Sequence, residues 1–277
     1  MSSAELPELE ILRRDLDKEV SGKKIKAVDV PGKKSIARAG TPKALATRLT
    51  GVKIERVTRK GTWISLALDS GDVMLVALGA KSRLRRAQNK DALEPGTAVV
   101  LTFTQHGQLR LIDPASTAEL FLVPSDEVAA TIGPLGLDLV DEPVSWTKFG
   151  EMVLRRSGKL KSILMDPTML VGIGAMYSDE ILFEAGLRYD RSPDTLSTQE
   201  IRRLYRASVE IIHDSVKHGG ASVGDDGYLT LSGARGGYSD MINVFRRDGE
   251  MSPRARGPIV KSRFGNGYTY YCEQTQV

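Results

Sequence analysis

Residues 159–191, KLKSILMDPTMLVGIGAMYSDEILFEAGLRYDR, put Gly172 and Gly174 at the mouth of a helix. Lys159 to Met165 reads as a short helix, with Leu160, Ile163 and Leu164 on one face. Asp166-Pro167 stops it, because proline lacks an N–H and biases the residue before it away from helix. A second helix is predicted from near Gly174 to Ala185, with Ile173, Met176, Tyr177 and Ile181 on one face and Gly186 as its C-cap. Glycines at a helix entrance let a ligand approach the backbone. Free N–H groups there attract anions, phosphate above all. Phosphate capture is therefore the chemistry this stretch offers. A helical hairpin without a ligand uses the same residues, and spacing alone favours that plainer reading.

The remaining candidates are charges. Glu8 and Glu10 fall in the first turn of a helix predicted over Pro7 to Val20, where they complement the positive helix end. Cations cluster in Lys81-Ser82-Arg83-Leu84-Arg85-Arg86 and again at Arg246, Arg247, Arg254 and Arg256. Such runs are usually solvated faces. The net charge of +4 is compatible with nucleic acid and is small evidence for it. The single cysteine, Cys272, excludes an intramolecular disulfide framework and cannot supply a multi-cysteine metal site. No apolar run reaches membrane-span length and the first residues carry no signal-peptide core, so a cytoplasmic chain with no membrane partner is expected.

The elements that must position these residues change character along the 277-residue chain. The first helix buries Leu9, Leu12, Leu16 and Val20. From Lys24 to about Val123, short alternating runs separated by turns predict strands: 26–30, 52–57, 63–68, 73–78, 98–103 and 109–112. They argue a β-sandwich or barrel, with a short helix over 41–49. A linker is expected over 135–147. Beyond it the chain turns helical, and Ser197-Thr198-Gln199-Glu200 is a capping box opening a helix to His218. Residues 224–239 are glycine-rich and read as a long mobile surface loop. The tail, from Asn243 through Tyr271, reads as a β-hairpin. The fold class is α+β: residues 1–134 a β-sandwich with a leading helix, 148–240 a helical domain, 241–277 the hairpin.

Leu164-Met165-Asp166, Val171-Gly172-x-Gly174, Tyr177, Glu180, Leu182-Phe183 and Ala185-Gly186 resemble the helix–two-turn–helix of the formamidopyrimidine-DNA glycosylase/endonuclease VIII family. Ala4 to Glu10, AELPELE, resembles that family's Pro-Glu-Leu-Pro-Glu-Val-Glu start, and the likeness runs from Ala4 to Thr275. The resemblance implies a two-domain DNA glycosylase that also cleaves the strand, with an N-terminal proline as Schiff-base nucleophile. It implies catalytic and supporting roles for Glu5 and Glu8, and phosphate contacts at Gly172, Gly174 and Tyr177.

The departures from the family pattern fall on its chemistry. Ala4 stands at the proline position behind three further residues, so its nitrogen is an amide. Thr62 stands at a catalytic lysine position, with Lys60 two residues earlier and expected on the same strand face. Ala80, Ala115 and Thr117 stand where the family inserts wedge residues into the duplex, and Ala175 replaces a phosphate-contacting asparagine. The four zinc cysteines fall on Ser252, Ala255, Cys272 and Thr275, and the finger arginine on Gly267, so no metal or other cofactor is expected. Packing of Phe245, Ile259, Val260 and Tyr270 is expected to hold the finger instead. The basic segment Lys81, Arg83, Arg85, Arg86 and the hairpin arginines Arg246, Arg247, Arg254 and Arg256 are expected to supply DNA contacts, with Lys60 beside them. Three readings follow. The first is a monomeric protein that binds damaged or distorted DNA with its catalysis lost or reduced, DNA ranking ahead of RNA. The second is a glycosylase using another amine: the Ser2 α-amine, Lys60 or Lys81. The third is an RNA- or protein-binding module of ribosomal type.

Overall fold

The structure is a computed structural model, and it describes residues 4–224 and 227–277. Its described residues divide into two units: Ala4, Glu8–Gly133 and Gly219–Gly236 form the first, and Glu5–Pro7, Pro134–His218 and Gly237–Val277 the second.

In the first unit, α1 (Leu6–Val20), which enters it at Glu8, is followed by β1 (Ile25–Asp29), α2 (Pro42–Leu49), β2 (Ile54–Lys60), β3 (Trp63–Leu68) and β4 (Asp72–Ala77). Then come β5 (Arg83–Ala87), β6 (Thr97–Phe103), β7 (Gln108–Ile112), β8 (Glu119–Pro124) and the short α3 (Val128–Ile132). The strands make two antiparallel four-stranded sheets, ordered β1-β6-β7-β5 and β2-β3-β4-β8. Their inner faces bury Ile64, Leu66, Met74 and Val76 with Leu84, Val99, Leu101 and Leu109. The predicted α1 stripe joins this core through Leu12, Leu16 and Val20. Polar groups fix the helix on the sheet: Asp17 accepts from Val57 N at 2.8 Å, and Glu10 receives Arg13, Arg14 and the buried Arg59.

Two expectations fail here. The basic stretch after Gly79, where no strand is expected, is largely strand. Arg83–Ala87 is an edge strand paired to β7, because Leu84 alternates into the core and carries its neighbours into strand register. The glycine-rich stretch is a loop, but one packed down in part and not lying wholly on the surface. Ala221, Ser222, Tyr228 and Leu231 are buried, and Arg86 N donates to Leu231 O at 3.0 Å. Asp225 and Asp226, within that stretch, lie outside the described residues. Residues 219–236 thus belong with the sandwich and not with the helical domain.

The second unit holds α4 (Trp146–Leu154), α5 (Leu160–Leu164), α6 (Ala175–Ala185), α7 (Thr198–Lys217), β9 (Val260–Phe264) and β10 (Gly267–Tyr271). The expected linker is part of it: Leu137 and Leu139 are buried, and Leu137 exchanges backbone bonds with Met169 and Val171 at 2.9 Å each. Asn243 to Phe245, expected at the start of the hairpin, is not strand. The capping box on α7 is complete, with Ser197 Oγ accepting from Glu200 N and Glu200 accepting from Ser197 N. No helix among the described residues is long and apolar enough to cross a membrane.

Candidate nucleic-acid interface

The helix entrance is already occupied by a side chain of the same chain. Glu5 accepts from Gly174 N at 2.6 Å, Met176 N at 3.0 Å and Tyr177 N at 3.3 Å. A Cβ at Gly174 would stand 2.6 Å from the Glu5 carboxyl carbon, so only glycine admits this approach. Gly172 has φ +67° and accepts Leu6 N through its carbonyl at 2.8 Å. The expectation that these N–H groups wait for phosphate is therefore corrected: a carboxylate takes the anion's place at the positive end of α6. Tyr177, expected at a phosphate, is fully buried with its hydroxyl bonded to Ser215 Oγ.

Behind that turn lie buried charges that no sequence pattern announces. Lys161 Nζ pairs with Asp179 and donates to Ala175 O at 3.0 Å. Asp179 also receives Thr269 Oγ1 and Tyr270 N. Burial pushes the Asp179 carboxyl up to about 6, although Lys161 pulls the other way. Glu180, pushed up by burial, accepts from the backbone of Asn243, Val244 and Phe245 at 2.8–2.9 Å.

In the first unit Ala4 is buried in an apolar cluster with Leu9 and Tyr228, against Leu78. Beside it is a cavity of about 170 Å³ lined also by Lys81, Ser82 and Arg83. The Tyr228 hydroxyl is buried there without a hydrogen-bond partner among the described residues. Burial, then the Glu8 and Asp15 carboxylates, push its phenol well above the ordinary value, so it stays neutral. Glu8 is buried and accepts from Ala221 N at 2.8 Å, which fastens the glycine-rich stretch to α1. Lys60 and Thr62 do not share a strand face. Gly61-Thr62 is the turn between β2 and β3, and Lys60 pairs with Trp63 as the last rung, exposed. Ala80 and Thr117 do come together, with Thr117 Oγ1 donating to Ala80 O at 3.3 Å. Asp113 holds that loop through Thr117 N, Ala118 N and Ser35 Oγ.

The expected DNA-contacting cations differ in what they meet. Arg83 pairs with Glu94, Arg86 with Glu19, Arg247 with Glu250 and Arg254 with Glu184, so these four are not the open charges expected from the sequence. Arg85 rests its guanidinium on Gly233. Lys60, Arg246 and Arg256 are exposed with no carboxylate partner among the described residues.

The first unit and the turn both have counterparts among known proteins. The N-terminal domain of formamidopyrimidine-DNA glycosylase matches residues 3–120, and the H2TH domain of the same enzyme matches residues 135–226. The formamidopyrimidine-DNA glycosylase of Pelotomaculum thermopropionicum is 30% identical over 274 residues, covering 98% of both chains. The chain belongs to the formamidopyrimidine-DNA glycosylase family. The enzyme of Geobacillus kaustophilus is likewise 30% identical, over 98% of this chain and 99% of its own. A mutant of Lactococcus lactis Fpg, solved with DNA containing Fapy-dG, superposes with a TM-score of 0.91 at 26% identity over 99% of both chains. The fold is also that of the L. lactis Fpg solved with abasic-site DNA, at a TM-score of 0.91 and 24% identity over 99% of both chains.

The positions where the family carries finger cysteines hold a different set here. Cys272 is fully buried with Ser252 and Thr275 beside it, and Ala255 packs on the same cluster. One thiol, two hydroxyls and a methyl do not make the four-donor set of a structural zinc. Among the described residues no group of three or more His, Cys, Asp or Glu is placed to hold a metal. The hairpin is anchored instead by Phe183, Val244, Ile259 and Tyr270 in one cluster and by the Asp179 and Glu180 carboxylates. Gln276 adds a further tie, accepting from Cys272 N at 3.0 Å and donating to Leu187 O at 2.8 Å. Val260, expected in that packing, is only half-buried.

Proposed function

We propose that this family member binds damaged or distorted DNA as a monomer, without zinc, and that its glycosylase and strand-cleaving activity is lost or strongly reduced. The observation that carries the reading is Ala4. Its nitrogen is an amide, without the free electron pair a Schiff-base nucleophile needs, and its side chain is buried among Leu9, Leu78 and Tyr228. The short residues Ala80, Ala115 and Thr117 support it, since a flipped base leaves a gap that costs a few kcal/mol, roughly, unless filled. Phosphate contact then falls to exposed cations such as Lys60, Arg246 and Arg256.

A second reading has an observation of its own: Lys81 lines the cavity beside Ala4, placing an amine near the nucleophile position. Ser2, another candidate amine, lies outside the described residues. Competition binding tests the first reading. Abasic duplex is expected to outcompete undamaged duplex and duplex RNA, with no strand cleavage at the abasic site over prolonged incubation. Equal competition by undamaged duplex or by RNA contradicts damage recognition. Strand cleavage at the abasic site that disappears in Lys81→Gln establishes the second reading.

A further inference from the structure

The β9–β10 hairpin has a face that neither the helix entrance nor the Ala4 cavity uses. Antiparallel register puts Tyr268 opposite Arg263 and Tyr270 opposite Lys261, so these four side chains share one face. The other face is turned inward: Thr269 reaches Asp179, and the Tyr271 ring lies 5.1 Å from that of Tyr189. On the shared face rings and cations alternate. Lys261 Nζ lies 4.4 Å from the Tyr268 centroid and 5.7 Å from that of Tyr270. The Arg263 guanidinium lies 5.8 Å from Tyr268. Tyr270 meets Phe245 edge-on at 5.3 Å, and Arg246 sits 5.6 Å from the Phe245 ring.

Exposure rises along this strip, from 6% at Tyr270 to 45% at Tyr268. Lys261 and Arg263 are exposed, and neither has a carboxylate partner among the described residues. Duplex DNA presents phosphates but hides its base faces in the stack, so cations alone would serve it. An exposed ring between two cations adds a surface on which an unpaired base can stack, and aromatic stacking of that kind tolerates any base.

We propose that this strip is a docking platform for single-stranded DNA: an unpaired base stacks on Tyr268, and the phosphates flanking it meet Lys261 and Arg263. The proposal rests on the DNA-binding reading above and adds a second site to it. DNA ranks before RNA because the similar solved proteins hold DNA.

The test uses the full chain with a thymidylate oligomer of about ten nucleotides, an abasic duplex and the matching uridylate oligomer. The wild type is expected to bind the thymidylate oligomer. Tyr268→Ala and Tyr268→Leu should each weaken that binding about 10-fold, or about 1.4 kcal/mol. Tyr268→Phe should retain it, because the ring face and not the hydroxyl makes the stack. Lys261→Gln and Arg263→Gln should each flatten the log–log salt slope by about 0.7. Duplex binding should change less than 2-fold, roughly, in the Tyr268 variants. If the wild type binds duplex but not the thymidylate oligomer, the platform is refuted and the DNA-binding reading stands. If it binds neither, both fall. Unchanged oligomer binding in Tyr268→Ala and Tyr268→Leu refutes the platform, and tighter binding of the uridylate oligomer overturns the assignment to DNA.

Discussion

Single residues decide what the helix entrance can do. Glu5 is legible in the sequence as a family position, and Gly172 and Gly174 as a phosphate-type turn, but not that one fills the other. Glu5 and Gly174 are 169 residues apart, and no local periodicity reports a contact of that range. With three N–H groups converging on its carboxylate, Glu5 acts as a helix cap supplied from outside the helix. Glu5→Ala is expected to destabilise the second unit by about 1–2 kcal/mol in chemical denaturation, with Glu5→Gln losing less. An unchanged midpoint in Glu5→Ala would contradict the capping role. Lys161 and Asp179 are equally unreadable, since both sit in ordinary helical sequence and become buried only through packing. Removing one partner leaves the other's charge buried and unpaired, so Asp179→Asn should cost about 3–5 kcal/mol, much of it recovered in the double variant Lys161→Met/Asp179→Leu. Equal stability of the single and double variants would rule this out.

Elements are more legible than their partners. The period of 3.6 in α1 and α7, the capping box and the alternation in β1–β4, β6 and β7 are local signals, and each element forms within a few residues of its expected bounds. β5 escapes such a reading because four of the six residues in Lys81–Arg86 are cationic, which masks the single inward Leu84. In the tail, the Lys261, Arg263 and Tyr268 face repeats with period two, a signal present in sequence but overshadowed by the arginines before it. The capping box carries a pH signature. The Arg191 guanidinium, then the Ser197 N–H, hold Glu200 down at about 2 against an ordinary 4.5. A lowered folded-state value means the contribution is full above about 4.5 and is lost as pH falls toward 2. Glu200→Gln should remove that acid-side slope, measured as the denaturation midpoint across this window. A slope identical to the wild type would place the effect elsewhere. The hairpin, anchored by Phe183, Val244, Ile259 and Tyr270, should keep its melting temperature under strong chelation. A chelation-induced fall with stoichiometric zinc release would contradict anchoring by packing.

Across the whole molecule, the α+β class and the order of a sandwich before helices are legible, because strand and helix patterns occupy separate halves of the chain. The return of residues 219–236 to the first unit is not. Glycine and polar content there matches a surface loop, and the ties that reveal otherwise, Glu8 to Ala221 and Leu231 to the sandwich core among them, are long-range. The chain thus keeps the family scaffold, with Asp113, Glu5 and Glu8 all engaged in holding backbone, and the proposed loss of chemistry rests on Ala4 and Thr62. Borohydride trapping on abasic-site duplex, at protein concentrations where binding to the same duplex is saturated, separates binding from chemistry in one experiment. A fully shifted complex on native gels and no covalent band on denaturing gels are expected. A strong covalent band at saturation contradicts the loss of chemistry, and the residue carrying the adduct would identify the amine that performs the attack.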